Sequence, residues 1–180
     1  PMESISIGAF YKYFHQPIES IVVVSAQHSV TYQNADSAQN RGLEIDFRKQ
    51  LPFIGDWAED LYVAGNASWI HSQVQLSENA GIQTSEERAL EGQSPYVYNL
   101  HLGYDEPDGL GSASLLYNVF GPRITQVGAL GAPDTLEMPV HRIDAIASMR
   151  FGEFKVGFKV QDILNFPSVT KSGDQIKDSI

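Results

Sequence analysis

Residues 94–105 read SPYVYNLHLGYD, and this stretch alternates between two kinds of side chain. Along a strand, one face would carry the apolar and aromatic residues Tyr96, Tyr98, Leu100, Leu102 and Tyr104. The opposite face would carry Val97, Asn99, His101, Gly103 and Asp105. A period of two residues indicates a β-strand with one face in apolar surroundings. We therefore expect Asn99 and His101 to point away from those surroundings.

Six further segments have the pattern of strands: residues 3–15, 40–50, 61–76, 110–121, 141–151 and 154–163. Most segments exceed the roughly 5–6 residues of globular strands and approach the roughly 9–11 that cross a bilayer at a tilt. This predicts an all-β fold, a segment of an antiparallel transmembrane β-barrel. Aromatic residues near the strand ends match the interfacial girdles of such barrels: Tyr96, Tyr104, Phe120, Phe151 and Phe154. A soluble barrel with its apolar face inward has the same period, so alternation alone leaves that alternative open.

The connections between these strands differ in length in a regular way. Residues 106–109 and the pair Gly152-Glu153 predict tight turns, whereas 77–93 and 122–140 are long and polar or rich in Gly and Pro. The connections 16–39 and 164–180 fall on the long side, and 51–60 falls on the short side. Outer-membrane barrels keep short turns towards the periplasm and long loops outside. We therefore predict that 106–109 is periplasmic and that 77–93 is extracellular and contributes to substrate capture.

Segment 61–76 is less regular than the others. Leu61, Val63 and Trp69 share one face, but beyond Trp69 the polar and apolar positions exchange. Either a β-bulge or emergence of the strand from the bilayer would explain this exchange.

Composition excludes several classes of function. The net charge of −10 and a pI near 4.8 argue against nucleic acid as a partner, because phosphate binding requires clustered Lys and Arg, which are absent here. Without cysteine there is no disulfide and no thiolate metal site. No stretch reaches the roughly 18–20 apolar residues of a membrane helix. Residues 1–7 lack the basic and apolar regions of a signal peptide, so we expect none in this chain.

We do not expect an enzyme, a cofactor or a metal site. No Gly-x-Ser-x-Gly, Walker or dinucleotide-binding motif occurs in the sequence. Glu86, Glu87 and Glu91 lie in a polar connection and are interpreted as a solvated acidic face. Metal ligation is not predicted because no i,i+4 pair occurs among the histidines, His15, His28, His71, His101 and His141.

Several short motifs, taken in order, resemble the C-terminal barrel region of TonB-dependent outer-membrane receptors. Phe10-Tyr11-Lys12 followed by Pro17-Ile18-Glu19 resembles an outgoing strand of that family. The residues that resemble its returning strand are Asn34, Ala38, Gly42 and Glu44. The segment from Tyr117 to Ile124, with Pro133-Asp134, Pro139 and Asp144 after it, is similar to the next loop and strand of the family. Residues 160–165 resemble the end of its penultimate strand, although Asp162 stands where Asn is more usual.

The resemblance covers about residues 8–166 and implies a plugged barrel of about 22 strands. Residues 1–180 would form a partial barrel domain of about seven strands, with the plug and the final strand absent. The resemblance further implies uptake of a siderophore, cobalamin or glycan across the outer membrane of a Gram-negative bacterium. The implied partners are the small nutrient ligand, outer-membrane lipid and, through the missing plug, the TonB complex.

Two other functions remain as alternatives. One is a passive porin-like or structural outer-membrane barrel without TonB coupling, and the other is a soluble lipocalin-like binder. In the barrel interpretation, polar side chains on the face opposite the lipid are the candidate functional residues. We predict that seven of them face the lumen: Asn66, Asn99, His101, Asn118, Arg142, Asp144 and Gln161.

Overall fold

The computed structural model describes residues 3–23, 29–76, 82, 84–85 and 87–179. Its strands are, in chain order, β1 (Ser4–His15), β2 (Ile18–Val23), β3 (Ser29–Asn34), β4 (Ser37–Gln50), β5 (Leu61–Gln75), β6 (Glu87–Arg88), β7 (Tyr96–Asp105), β8 (Gly111–Phe120), β9 (Arg123–Gln126), β10 (Thr135–Glu137), β11 (Arg142–Phe151), β12 (Phe154–Val160), β13 (Val169–Ser172) and β14 (Gln175–Ser179). Two 3-10 turns, Pro52–Ile54 and Asp56–Ala58, lie between β4 and β5. Among the described residues, no helix has the length and apolar character needed to cross a membrane.

The seven long strands form one antiparallel sheet in the order β1-β4-β5-β7-β8-β11-β12, with β6 paired to β5. These are the seven segments that the alternation predicted, so the all-β, antiparallel barrel fold is confirmed. The sheet is not closed, because β1 and β12 are its two edges in the described part of the chain. Long connections lie at one end of the sheet, which we call the loop end. Short connections lie at the other, the turn end, where residues 51–60, 106–110 and 152–153 reverse the chain.

Three strands begin or end at residues other than those predicted from the sequence. Strand β7 begins at Tyr96 rather than at residue 94, and the carbonyl of Pro95 accepts a hydrogen bond from Ile70 N–H as the ladder ends. Strand β12 ends at Val160 rather than at residue 163. Asp162 adopts a left-handed φ of 51°, and its N–H donates to the Asp144 carboxylate at 2.8 Å. A non-glycine residue in that region turns the chain out of the sheet. Strand β4 begins earlier than predicted, at Ser37, opposite Gln75 of β5.

Strand β5 contains no bulge against β4. The two strands pair in unbroken register from Ser37–Gln75 to Gln50–Tyr62. Strand β7 pairs with β5 only as far as Trp69, and beyond that point β5 rises into the loop end. There Val74 is completely buried. The β-bulge that was one explanation for the swap of polar and apolar positions beyond Trp69 is therefore wrong. The swap reflects packing of this end of β5 against the loops.

The four long connections, predicted only as loops, contain strands of their own. Residues 16–36 carry the β2–β3 hairpin, while β9 and β10 pair with β13 and β14 in the order β14-β13-β10-β9. Two apolar clusters hold this region together, one of Ile21, Ala35, Ala38, Val74 and Leu76 and one of Val22, Ile124 and Val127. Backbone hydrogen bonds join successive connections, from Ile82 N–H to Val22 and from Gly92 N–H to Ile124. The loop end is thus a folded unit with buried residues.

Aromatic rings of the long strands cover glycines on neighbouring strands. Tyr62 covers Gly103, Phe47 covers Gly65 and Phe10 covers Gly42, each ring directly opposite its glycine in the register. Such pairs fix register, since only glycine leaves room for the ring. Because a closely packed interior has few voids, a side chain larger than glycine would not fit beneath these rings without displacing its neighbours.

We expect Gly65→Ala to destabilise the barrel by about 1–3 kcal/mol, the usual cost of overpacking. A methyl group there would lie 2.8 Å from the Asn99 carbonyl oxygen and 2.9 Å from Phe47 Cε1. The matched control is Gly8→Ala on β1, where nothing lies within 4 Å of the added group. Denaturant unfolding of the receptor in detergent measures the free energy of unfolding of both variants. Equal stability of the two variants would contradict the proposed packing role.

Candidate functional site

A row of polar residues crosses the main sheet from β4 to β11. The register places Asp46 opposite Asn66, Asn66 opposite Asn99, Asn99 opposite Asn118, and Asn118 opposite Arg142. Because directly opposed residues share a face, these side chains all lie on one surface, which we call the polar face.

Three of these side chains form a hydrogen-bonded amide ladder. Asn99 Nδ2 donates to Asn66 Oδ1 at 2.8 Å, and Asn118 Nδ2 donates to Asn99 Oδ1 at 2.6 Å. A side-chain amide offers two N–H donors and two acceptor lone pairs. Each bond within the ladder uses one donor and one lone pair, so donors and acceptors remain along its length.

The ladder lies in a cleft of about 580 Å³ on the polar face. Six of the seven residues predicted from the sequence line it, namely Asn66, Asn99, His101, Asn118, Arg142 and Asp144. Gln161 lies beyond the end of β12 and is not among the lining residues. Asp46 also lines the cleft, although sequence reasoning did not select it. The alternation of segment 40–50 could have placed Asp46 on the polar side of its strand. Only the register with Asn66 shows that Asp46 belongs to the cleft.

A second cluster on the polar face lies nearer the turn end and surrounds Tyr62. Its hydroxyl lies 3.5 Å from His101 Nε2, and the two rings meet edge-on at 5.2 Å between centroids. The Arg48 guanidinium carbon lies 3.6 Å from the Tyr62 ring centre, a cation–π contact. These contacts hold His101 and Arg48 in place. Among the described residues, no group of three or more His, Asp or Glu side chains could hold a metal ion.

The opposite surface of the sheet, the apolar face, carries aliphatic and aromatic side chains. One row across it consists of Val63, Leu102, Leu115, Ala145 and Val160. Large side chains on this face are open to the surroundings, with Ile7 72% and Phe158 71% exposed. Monomeric soluble proteins rarely expose so continuous an apolar surface.

Aromatic residues border the apolar face at both ends. Towards the loop end, Trp69 meets Tyr98 edge-on at 5.6 Å, and Tyr98 stacks on Tyr96 at 5.1 Å. Towards the turn end, Phe151 and Phe154 oppose each other. Phe120, predicted as part of the girdle, instead lies on the same face as Asn118 and stacks under Arg123 at 4.3 Å. An apolar band between aromatic borders, with a polar face behind it, is the arrangement of outer-membrane barrels.

The family model described as TonB dependent receptor-like, beta-barrel, matches residues 3–160. The chain belongs to this family. No curated protein and no solved structure matches the chain. TonB-dependent receptor barrels serve outer-membrane reception and transport and are not a family of enzymes. The family match therefore confirms the resemblance to TonB-dependent receptor barrels that the sequence motifs indicated.

At the loop end of this TonB-dependent receptor barrel, a buried ion pair joins two connections. Arg88 Nη1 lies 2.9 Å from Glu19 Oε2, and the side chains are 4% and 6% exposed. Arg88 Nη1 also donates to the Ala89 carbonyl at 3.1 Å. Burial raises the pKa of the Glu19 carboxyl, and the adjacent Arg88 guanidinium only partly offsets this. The pair was not found from the sequence because its members lie in different connections.

Proposed function

We propose that this chain forms part of the wall of an outer-membrane receptor that takes up a scarce nutrient with energy from the TonB complex. The nutrient belongs to the siderophore, cobalamin or glycan class. The two-faced sheet carries the proposal, since its apolar band suits lipid and its polar cleft suits an aqueous interior. Family membership supports the same assignment.

In this arrangement residues 1–180 are a partial barrel domain, and the open edges β1 and β12 pair with further strands to close a barrel of about 22 strands. The lumen-facing set comprises the six residues of the cleft and Gln161. The plug domain of the receptor contacts the TonB complex. The loop end faces the exterior and the turn end the periplasm of a Gram-negative bacterium.

Cysteine scanning in the intact receptor tests which face meets lipid. We expect a water-soluble thiol reagent to label Asn99→Cys and His101→Cys more readily than Leu100→Cys and Leu102→Cys, because hydrocarbon excludes the reagent. The four positions are consecutive on β7, so they serve as controls for one another. Preferential labelling of 100 and 102 would show that the assignment of the faces is inverted.

Uptake of radiolabelled nutrients by cells with and without TonB tests the energy coupling. We expect accumulation against a gradient to be lost without TonB, since no nucleotide-binding motif occurs in the chain. Entry at an unchanged rate without TonB would favour the passive porin-like function instead.

A further inference from the structure

We propose that the apolar face carries a docking groove for one diacyl phospholipid with an ammonium headgroup, phosphatidylethanolamine. This inference rests on the proposed function, because it requires the apolar face to meet lipid. A groove of about 390 Å³ lies on this face across β7, β8, β11 and β12, near the turn end. Its volume is within the roughly 300–1,000 Å³ typical of small-molecule sites, so it can hold part of a lipid.

Two alanines between two aromatic side chains form the floor of the groove. Ala113 lies opposite Ala147, and both are exposed on the apolar face. Tyr104 borders this pair on β7, and Phe158 borders it on β12. Neighbouring strands are about 4.8 Å apart, so the floor is about 10 Å wide. Because carbon atoms in contact lie about 3.5–4.0 Å apart, two acyl chains fit side by side between the aromatic walls.

The groove is open towards the turn end at Gly111. This residue occupies the row after the two alanines, opposite Met149, and it carries no side chain. A methyl group added there would meet only the Ser148 carbonyl oxygen, at an ordinary 3.5 Å. Acyl chains in the groove can therefore continue past Gly111 to a headgroup beside residues 106–110. Tyr104, one residue before the end of β7, is placed to donate its hydroxyl to the lipid phosphate.

The charge of the turn end selects the headgroup. The three connections there, residues 51–60, 106–110 and 152–153, contain no Lys or Arg and six acidic residues: Asp56, Glu59, Asp60, Glu106, Asp108 and Glu153. In the part of the chain that the structure describes, none of the six forms a salt bridge. The cations on either side of 152–153, Arg150 and Lys155, oppose each other on the polar face. The carboxylates therefore attract the ammonium group of phosphatidylethanolamine and repel an anionic headgroup.

The same charges disfavour a second copy of this chain as the occupant. Two copies in one membrane keep their turn ends on the same side, so a symmetric contact through the groove would bring both sets of carboxylates together. Repulsion between like charges opposes that contact, whereas the lipid supplies the opposite charge.

Native mass spectrometry of the intact, delipidated receptor in detergent tests the groove. The probes are phosphatidylethanolamine and the anionic phosphatidylglycerol, with identical oleoyl chains. We expect phosphatidylethanolamine to bind about tenfold more tightly, because the acidic turns interact with the two headgroups with opposite sign.

Two sets of alanine replacements separate the groove from the rest of the apolar face. Ala113→Leu combined with Ala147→Leu fills the floor, and we expect it to weaken phosphatidylethanolamine binding by about tenfold. Both positions are exposed, so leucine fits there without overpacking. Ala9→Leu is the matched control, because Ala9 is exposed on the apolar face of β1, away from the groove. We expect it to leave lipid affinity unchanged.

A charge variant tests the headgroup separately. In the triple variant Glu106→Gln, Asp108→Asn and Glu153→Gln, we expect the preference for phosphatidylethanolamine over phosphatidylglycerol to fall to within about twofold. The chains still fill the groove, so binding itself should persist.

Phosphatidylethanolamine binding of equal strength in native receptor and in the double leucine variant would overturn the groove. Equal affinity of native receptor for both lipids would overturn the headgroup assignment. Receptor dimers that the double leucine variant abolishes would make a second copy the occupant instead. TonB-dependent nutrient uptake reports the proposed function separately, since the groove lies outside the transport path: its loss with lipid binding intact would overturn that function alone.

Discussion

Replacing Arg88 by methionine is expected to lower the free energy of local unfolding at the loop end by about 3–5 kcal/mol, because it leaves the Glu19 carboxylate buried without its partner. Both side chains of the pair are less than a tenth exposed, so water cannot compensate for the loss. Hydrogen exchange of the β2–β3 hairpin in the intact receptor measures this effect, since amide protection reports local opening.

Two further variants separate the charge effect from general damage. Lys49→Met removes one partner of the Lys49–Glu3 pair, whose side chains are 51% and 46% exposed. Because water solvates such an exposed pair, we expect hydrogen exchange of the β2–β3 hairpin to stay unchanged in this variant. Glu19→Leu combined with Arg88→Met removes both buried charges and should recover most of the lost protection. A double variant as unprotected as Arg88→Met alone would contradict the ion-pair explanation.

The defect of Arg88→Met should also depend on pH. Burial already raises the pKa of Glu19 above its ordinary value of 4.5, and loss of Arg88 removes the nearest opposing charge. A carboxyl whose pKa is raised on folding costs stability at high pH; this cost shrinks as the pH falls below the folded pKa and disappears below the unfolded pKa. We therefore expect exchange in the variant to approach that of native receptor as the pH falls towards 4.5.

Leu102→Arg is the second large effect that we expect. Leu102 lies in the middle of the apolar face, opposite Val63 and Leu115. A cation placed against lipid near the bilayer midplane costs about 2–4 kcal/mol, and we expect the free energy of unfolding in vesicles to fall by that amount. Ser114→Arg is the depth-matched control, because Ser114 neighbours Leu115 but points to the polar face.

Denaturant titration of the receptor reconstituted in vesicles measures the free energy of unfolding of both variants. We expect Ser114→Arg to be much less destabilising than Leu102→Arg, since an aqueous lumen solvates the guanidinium. The reverse order would mean that the apolar face packs inside the protein, as in the soluble lipocalin-like alternative.

The sequence predicted the long strands well and the loop end poorly, for one physical reason. A strand with one apolar face repeats every two residues, so SPYVYNLHLGYD in 94–105 is sufficient to assign the faces of β7. The loop-end strands are short, such as Arg123–Gln126 and Thr135–Glu137, and give no period to recognise. Their stability comes from burial between connections, as at Ile124 of β9, which packs against Val22 and Val127, and no local pattern reports such burial.

The sequence by itself determined that Asn66, Asn99 and Asn118 lie on the polar side of their strands, because alternation is a property of each strand alone. Only the tertiary structure decided that they meet. Asn99 bonds partners 33 residues before it and 19 residues after it, and a register shifted by one residue would move each strand's side chains to the other face. The Glu19–Arg88 pair likewise depends on two connections meeting at the loop end. Faces are local and follow from the sequence, whereas partners depend on register and packing between segments far apart in the chain.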